Sequence, residues 1–338
     1  MTRDLVLHLG DFKTGSTAIQ RLLSQEAAAQ GICYPPGFNH AALAQALADP
    51  MACAAQFAAI APLLNASTAR HAVISAEHFE FADPALLAAA LARHLPGHTA
   101  RLIAYVRPHP QALLARFAES IRIGSYDGDL DSYPDWPQTG ARLGYATRFG
   151  RWRAVFGDRF TLRLYDRSRF AGGDVRRDFL QFVTGEDRQL PDTDPVNPTP
   201  GLADLALARA LHRAIGPLSA SASAARWTLG RHLGRLMAAR RPPDATPLQL
   251  HHSLAQRLLR QFEADAAATD AMFFPGEAPL GDALAAAPAQ AIATAQSLVA
   301  EDHFDAPARD LIALWGAMLR TGLTAPGGAA LLDRLYHE

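Results

Sequence analysis

The chain has 338 residues, 49% of them apolar, with 32 basic and 33 acidic side chains. This composition is typical of a globular protein with a sizeable core, and it excludes a disordered or fibrous chain. The net charge of −1 argues against a general nucleic-acid-binding protein, and no apolar run is long enough for a transmembrane helix. Because the N-terminus lacks a long apolar signal-peptide core, we expect a cytoplasmic protein. The two cysteines, Cys33 and Cys53, are too few for a disulfide framework and cannot alone form a four-ligand zinc site.

The first half of the chain alternates short apolar runs with amphipathic segments. Leu5 to Leu9 predicts a buried strand, and the loop from Gly10 to Thr17 leads into a helix that ends near Gln30. Strands that alternate with helices favour right-handed crossovers, so we predict an α/β fold with three αβα layers and a mostly parallel central sheet. The other predicted strands cover residues 71–75, 101–106 and 160–165. The other predicted helices cover residues 41–49, 51–64, 84–94, 110–123, 141–156 and 174–183, with a loop over 125–140.

The sequence changes character beyond about residue 185. Pro191, Pro195, Pro198 and Pro200 indicate a rigid connector, and only helical periodicity follows. We therefore predict an α/β core over residues 1–190 and a mainly helical C-terminal extension over 191–338, either packed on the core or forming a second lobe. The predicted helices of this part cover residues 201–215, 224–240, 247–268, 280–300 and 305–321.

The loop after the first strand contains the only lysine of the chain, Lys13; the other 31 basic residues are arginine. The preference for arginine over lysine is attributed to a coding bias. Lys13 is then either a chance exception to this bias or a residue whose ammonium group has a function. A turn of small residues at a helix N-terminus directs backbone N–H groups and the helix dipole at an anion. The amides of Thr14, Gly15, Ser16 and Thr17, and the hydroxyls of Ser16 and Thr17, are thus candidate anion ligands. The alternative is an ordinary turn with Ser or Thr as N-cap, and the spacing is not that of a Walker A motif.

The segment from His8 to Gln20 resembles the 5′-phosphosulfate-binding loop of sulfotransferases that use 3′-phosphoadenosine 5′-phosphosulfate (PAPS). Tyr105-Val106-Arg107-Pro108, followed by a helix and Gly124, is similar to the 3′-phosphate-binding segment of that family. The resemblance implies a P-loop-like fold and transfer of a sulfuryl group from PAPS to a hydroxyl or amine, with 3′-phosphoadenosine 5′-phosphate (PAP) as product and no metal. It covers about residues 1–215. Further likenesses to the bacterial branch of the family lie at 74–79, 145–165 and Val196-Asn197-Pro198-Thr199.

The nucleotide's 3′-phosphate is assigned to Arg107 by this resemblance. A planar guanidinium suits phosphate, and the end of a parallel strand is where ligands collect in open α/β sheets; the alternative is a structural ion pair. The family usually has a serine eight residues after this arginine, where this chain has Ala115. Loss of that hydrogen bond is expected to weaken donor binding by about 1.5–3 kcal/mol unless Arg116 or Ser120 compensates.

Sulfuryl transfer also needs a base for the acceptor proton and a cation for the departing oxygen. Lys13 is the candidate cation. His40 is the preferred base because catalytic Glu or His residues of the carbohydrate-modifying branch have a similar spacing from the lysine, and its ordinary pKa suits the task. The alternative is a helix-capping or surface histidine. Glu77 is the second candidate base, or else orients an arginine or Lys13.

The other histidines and the arginine-rich segment are assigned structural or solvent-facing places. His8 is predicted to lie in the core, and His251 and His252 on the solvent face of a helix rather than in a metal site. The run Arg226–Arg241 contains no acid and is interpreted as one solvated helix face. The alternative is contact with an anionic acceptor or a membrane surface.

Two other functions remain open from the sequence. A nucleotide-dependent kinase needs Mg²⁺ near the loop, but the predicted strands end at Glu77 and Arg107 instead of an aspartate. A nucleotide-binding protein of the same fold that has lost turnover is kept open by Ala115. The leading hypothesis is sulfotransfer to a carbohydrate or small alcohol, with no nucleic-acid partner, and nothing in the sequence indicates the oligomeric state.

Overall fold

The computed structural model describes residues 3–191, 200–240, 242, 244–325 and 327. Pro195, Pro198, Arg241 and the segment Val196–Thr199 lie outside these residues. The strands are β1 (Arg3–His8), β2 (Ile32–Cys33), β3 (His71–Ser75), β4 (His98–Val106) and β5 (Phe160–Leu164). The α-helices are α1 (Ser16–Glu26), α2 (Ala41–Ala46), α3 (Pro50–Ala66), α4 (Pro84–His94), α5 (His109–Ile123), α6 (Pro137–Leu143), α7 (Tyr145–Phe156), α8 (Val175–Thr184), α9 (Leu202–Ile215), α10 (Ala220–Arg240), α11 (His252–Phe273), α12 (Pro279–Gln290) and α13 (Ala306–Thr324).

The five described strands form one sheet in the order β2–β3–β1–β4–β5, and each neighbouring pair is parallel. β1 lies in the middle, with His8 in register with Ser75 of β3 and with Ile103 of β4. The carboxyl ends of these strands therefore open onto one edge of the sheet. The predicted α/β class with a parallel central sheet is confirmed.

Both faces of the sheet are covered by helices, which gives the predicted three layers. On one face, Val6 packs with Ile19 of α1 and Phe179 of α8 in a buried apolar cluster. On the other face, Phe160 is in register with Leu102 and packs against Trp152 of α7. Burial of apolar side chains on both faces explains the continuous apolar runs in β1, β3 and the second half of β4, whereas the edge strand β5 alternates buried and half-buried residues.

Some predicted boundaries are wrong because backbone groups pair over long distances. Ile292 donates to the Leu250 carbonyl and accepts from the His252 amide, so its backbone is used in an isolated bridge. The helix predicted over 280–300 therefore ends at Gln290, and the one predicted from 247 begins at His252. The loop predicted over 125–140 contains the start of α6.

The chain divides into two compact units, each assembled from three segments. The first consists of Met1–His109, Gly144–Val196 and Phe262–Ala283 and contains the sheet; the second consists of Pro110–Leu143, Asn197–Gln261 and Leu284–Glu338. Within the second unit, α9, α10 and α13 share an apolar core. A domain boundary near residue 190 stays a prediction. None of the helices in the described part of the chain is both long and apolar enough to cross a bilayer.

Candidate functional site

The loop between β1 and α1 is held by its own polar groups. The carbonyl oxygen of Asp11 accepts hydrogen bonds from the Thr14 amide at 3.4 Å, the Thr14 hydroxyl at 2.7 Å and the Ser16 hydroxyl at 3.2 Å. The Thr14 amide, predicted as an anion ligand, is therefore used inside the loop. The Ser16 hydroxyl must rotate to donate to a ligand, so its binding role stays a prediction.

Three backbone donors at the start of α1 are left for a ligand. Among the residues that the structure describes, no acceptor is assigned to the N–H groups of Gly15, Ser16 and Thr17. These groups belong to the first turn of an 11-residue helix, where the N–H groups lack partners within the helix and the dipole favours negative charge. Together these three N–H groups can donate hydrogen bonds to a phosphate or sulfate oxygen.

Gly15 is required by both its backbone and its surroundings. Its φ of +81° lies in the left-handed region, and a Cβ atom there would come within 2.8 Å of Val175 Cγ1 and 2.9 Å of Tyr165 Cε2. The backbone of the loop can therefore approach the end of β5 only because this residue has no side chain.

Gly15→Ala is expected to lower the free energy of unfolding by about 1–3 kcal/mol more than Gly185→Ala, because only the first adds a steric clash. Gly185 is the matched control, since its φ is +80° and nothing lies within 4 Å of the position that a methyl group would take there. Urea unfolding of both variants checks this. Equal losses of stability would show that Gly15 is needed for its backbone conformation alone.

Arg107 ties the end of β4 to the loop. Its Nε donates to the carbonyl oxygen of Lys13, and its guanidinium carbon lies 4.5 Å from the centre of the Tyr165 ring. No carboxylate partner of Arg107 occurs in the described part of the chain, so the alternative of a structural ion pair does not describe it. Burial lowers the pKa of Arg107. The predicted cationic residues Lys13 and Arg107 thus meet at one edge of the sheet.

Glu77 lies on the other side of the loop. It begins a 3₁₀ turn, Glu77–Phe81, directly after β3. A Cβ atom on Gly10 would be 3.0 Å from Glu77 Cα and 3.1 Å from its Cγ, and 3.2 Å from Ser16 Oγ. Glu77 is half-buried, so its side chain is packed against the loop and still reaches solvent.

His40, the other candidate base, is held by backbone groups. Its Nδ1 accepts from the Ser75 amide at 3.1 Å, and its Nε2 lies 3.3 Å from the Pro35 carbonyl oxygen. The side chain is buried, and burial lowers its pKa. These contacts brace the end of β3 against the segment before α2. A catalytic role of His40 stays a prediction, and its two backbone contacts account for its burial without one.

A buried ion network under the loop was not predicted from the sequence. Arg148 of α7 places Nη2 3.1 Å from Asp11 Oδ2 and Nη1 3.2 Å from Glu80 Oε1. Its guanidinium carbon also lies 4.3 Å from the centre of the Phe149 ring. The three charged side chains are at most 10% exposed. No spacing rule connects these residues, so only the folded chain reveals that α7 supports the loop.

The remaining predicted histidines divide between buried and exposed positions. His8 is fully buried with Nδ1 2.8 Å from Ser75 Oγ, and burial lowers its pKa to about 3, so it is a neutral core residue. His252 is exposed, as predicted. The solvent-facing assignment of His251 is wrong: it is buried, with Nε2 3.0 Å from the Asp131 carboxylate. In the described residues, no cluster of three His, Cys, Asp or Glu side chains is arranged for a metal ion.

Ala115 and its predicted substitutes lie on α5. Ala115 is half-buried, and Arg116 and Ser120 are buried. The Ser120 hydroxyl lies 2.9 Å from the Tyr133 hydroxyl and is thus already engaged. Compensation for the missing serine by Arg116 or Ser120 stays a prediction.

The arginine-rich helix α10 has mixed contacts. Arg226 donates to the Gly216 carbonyl, and the guanidinium carbon of Arg231 lies 4.6 Å from the centre of the half-exposed Trp227 ring. Arg235 and Arg240 are exposed. Contact of this helix with an anionic acceptor or a membrane surface stays a prediction.

Aromatic side chains lie beside the loop. The Phe12 ring centre is 6.1 Å from that of Phe81 and 6.5 Å from that of His78. Phe81 is 57% exposed, which is unusual for a phenylalanine in a folded chain. Since Phe12 precedes Lys13 and His78 follows Glu77, this aromatic cluster adjoins two of the three candidate catalytic residues.

No protein-family model and no curated protein sequence matches the chain. A solved structure, the sulfotransferase from Alicyclobacillus acidocaldarius, is similar with a TM-score of 0.47 and 16% sequence identity. The similar region covers 80% of this chain and 96% of that chain.

Proposed function

We propose that this chain is a PAPS-dependent sulfotransferase that transfers a sulfuryl group to a hydroxyl or amine of a small-molecule or carbohydrate acceptor. The observation that carries the proposal is the meeting of Lys13, the Gly15–Thr17 amides and Arg107 at the carboxyl ends of β1 and β4. A nucleotide with anionic groups at both its 3′ and 5′ positions needs two separate sets of donors, and this edge has both.

The two sets of donors suit different ends of PAPS. The backbone N–H groups of Gly15, Ser16 and Thr17, which have no assigned acceptor among the described residues, would hold the 5′-phosphosulfate. Arg107 would hold the 3′-phosphate, because its guanidinium is oriented by Tyr165 and Lys13 and has no carboxylate partner in the described part of the chain.

The reaction is an in-line displacement at sulfur. The acceptor oxygen forms a new bond to sulfur while the bond from sulfur to the bridging oxygen of PAPS breaks, which leaves PAP. Lys13 stabilises the negative charge that collects on this departing oxygen. Glu77 would accept the acceptor's proton, and we prefer it to His40 as the base because it packs against Gly10 and is half-exposed, whereas His40 is buried between backbone groups.

Titration calorimetry with PAP tests the proposed function directly. Wild-type protein is expected to bind PAP with a micromolar dissociation constant, about −8 kcal/mol. Arg70→Ala, which removes an exposed cation elsewhere, should bind equally well. Absence of both heat and thermal stabilisation at millimolar PAP would refute PAPS as the donor.

A further inference from the structure

We propose that Arg167, which follows β5 as Arg107 follows β4, is a second guanidinium for the 3′-phosphate. This inference rests on the proposed function and deepens it, because it assigns a binding residue that neither the sequence motifs nor the resemblance indicates.

The backbone after β5 brings Arg167 to the site. Tyr165, the first residue after β5, donates its amide to the Val106 carbonyl at 2.7 Å, which fixes the turn to the end of β4 beside Arg107. Its ring lies under the Arg107 guanidinium and against Gly15. Arg167 follows two residues later, at the start of the 3₁₀ turn Arg167–Arg169, and its side chain is exposed.

The nearest acid in sequence does not neutralise Arg167. Asp166 accepts from the Ser168 amide at 2.9 Å and from the Ser168 hydroxyl at 2.8 Å, so its carboxylate caps the turn. Neither Arg107 nor Arg167 has a carboxylate partner within 4.0 Å among the described residues. Other arginines nearby do: Arg163 pairs with Asp178 at 2.8 Å and Arg169 with Glu277 at 2.7 Å.

Two neighbouring arginines that have no carboxylate partner among the described residues are typical of a site that binds an anion. Arg107 directly follows β4, and Arg167 comes two residues after Tyr165, whose amide is bonded to Val106, so both arginines leave the same edge of the sheet. Burial is the main cause of the lowered pKa of Arg107, and repulsion by the positive charge of Arg167 is a smaller cause in the same direction. A phosphate dianion between them converts this repulsion into two charge-assisted hydrogen-bonded contacts. The 3′-phosphate is the group concerned, because the amides at the start of α1 serve the 5′ end.

The test compares two nucleotides in two variants. PAP and adenosine 5′-phosphate differ only in the 3′-phosphate, so the ratio of their dissociation constants isolates that group. Arg167→Gln is expected to raise the dissociation constant of PAP about 10- to 100-fold, as for loss of a charge-assisted hydrogen bond, and that of adenosine 5′-phosphate less than about twofold. Arg169→Gln is the matched control from the same turn and should leave the ratio unchanged. Arg167→Lys, which keeps the charge without the planar fork, should lie between wild type and Arg167→Gln.

Each outcome decides one question. If wild-type protein binds PAP and Arg167→Gln leaves the ratio unchanged, or weakens both nucleotides equally, the role of Arg167 is refuted and the proposed function stands. If wild-type protein does not bind PAP, the proposed function fails and this inference fails with it. Because Arg167 is exposed, thermal melting of the variant is expected to match wild type, which excludes misfolding as the cause of weaker binding.

Discussion

Lys13→Ala is expected to lower the rate of sulfuryl transfer by about 10²–10³-fold, the usual cost of removing one group that stabilises charge in a transition state. The ammonium group has no substitute of its kind, because Lys13 is the only lysine of the chain. Its backbone carbonyl accepts from Arg107 and its φ is +68°, so the loop holds this residue in a left-handed conformation that positions it beside the helix N-terminus. Alanine keeps the backbone carbonyl that Arg107 contacts and removes the ammonium group together with its aliphatic stem.

The measurement is transfer of labelled sulfate from PAPS to a panel of alcohols, sugars and amines. PAP binding, which also depends on the backbone amides and Arg107, should weaken far less than turnover falls. Lys13→Arg is the control that keeps a positive charge in a different shape, and it should retain part of the activity. Transfer by Lys13→Ala at the wild-type rate would contradict the assigned role.

Arg148→Met is expected to lower the free energy of unfolding at neutral pH by about 3–5 kcal/mol, as for other buried ion networks that lose one partner. The substitution removes the guanidinium from between Asp11 and Glu80, whose carboxylates are 3% and 1% exposed. Methionine replaces the arginine side chain only as far as about Nε, so it keeps the apolar stem but removes both the ion pairs and the contact of the guanidinium with the Phe149 ring. Because Asp11 also anchors the turn of the loop, nucleotide binding should weaken as well.

Chemical denaturation of the variant provides the test, with Arg151→Met as control. Arg151 lies three residues further along α7, is exposed, and contacts only the Ala82 carbonyl among its described hydrogen-bond partners. Its replacement should change stability by less than about 1 kcal/mol. If both variants lose the same stability, the network under the loop is not stabilising. Addition of Asp11→Asn to Arg148→Met should recover part of the loss, because it removes one of the two buried charges.

Parts of the candidate site could be predicted from the sequence, and other parts could not. The turn Lys13–Thr17 and the strand end at Arg107 were predicted because each is local: small residues before a helix, or an arginine directly after an apolar run. Their contact in space followed from parallel strand order alone. Tyr165 was part of a segment with a family likeness, but its position between Arg107 and Gly15 depends on the pairing of β5 with β4.

Capping by a distant side chain explains one helix start that was predicted incorrectly from the sequence. The predicted helix over 141–156 begins at Tyr145 because the Asp265 carboxylate accepts from the Tyr145 and Ala146 amides at 2.9 and 3.0 Å. Asp265 is about 120 residues away in the chain. No rule on neighbouring residues can assign such a cap, because its donor and acceptor are brought together only by folding.

The amino-acid sequence by itself determined the parallel α/β core and indicated the place of a candidate anion-binding loop, since these depend on the periodicity of apolar residues and on residue types within one turn. Only the tertiary structure decided which polar groups face that loop. It paired Arg148 with Asp11, which is 137 residues away in the sequence, and enclosed His40 between two backbone segments. It also left Arg107 and Arg167 without carboxylate partners among the described residues. The physical reason is that a buried charge or hydrogen bond takes its partner from whatever the fold brings within about 3 Å, whatever the separation along the chain.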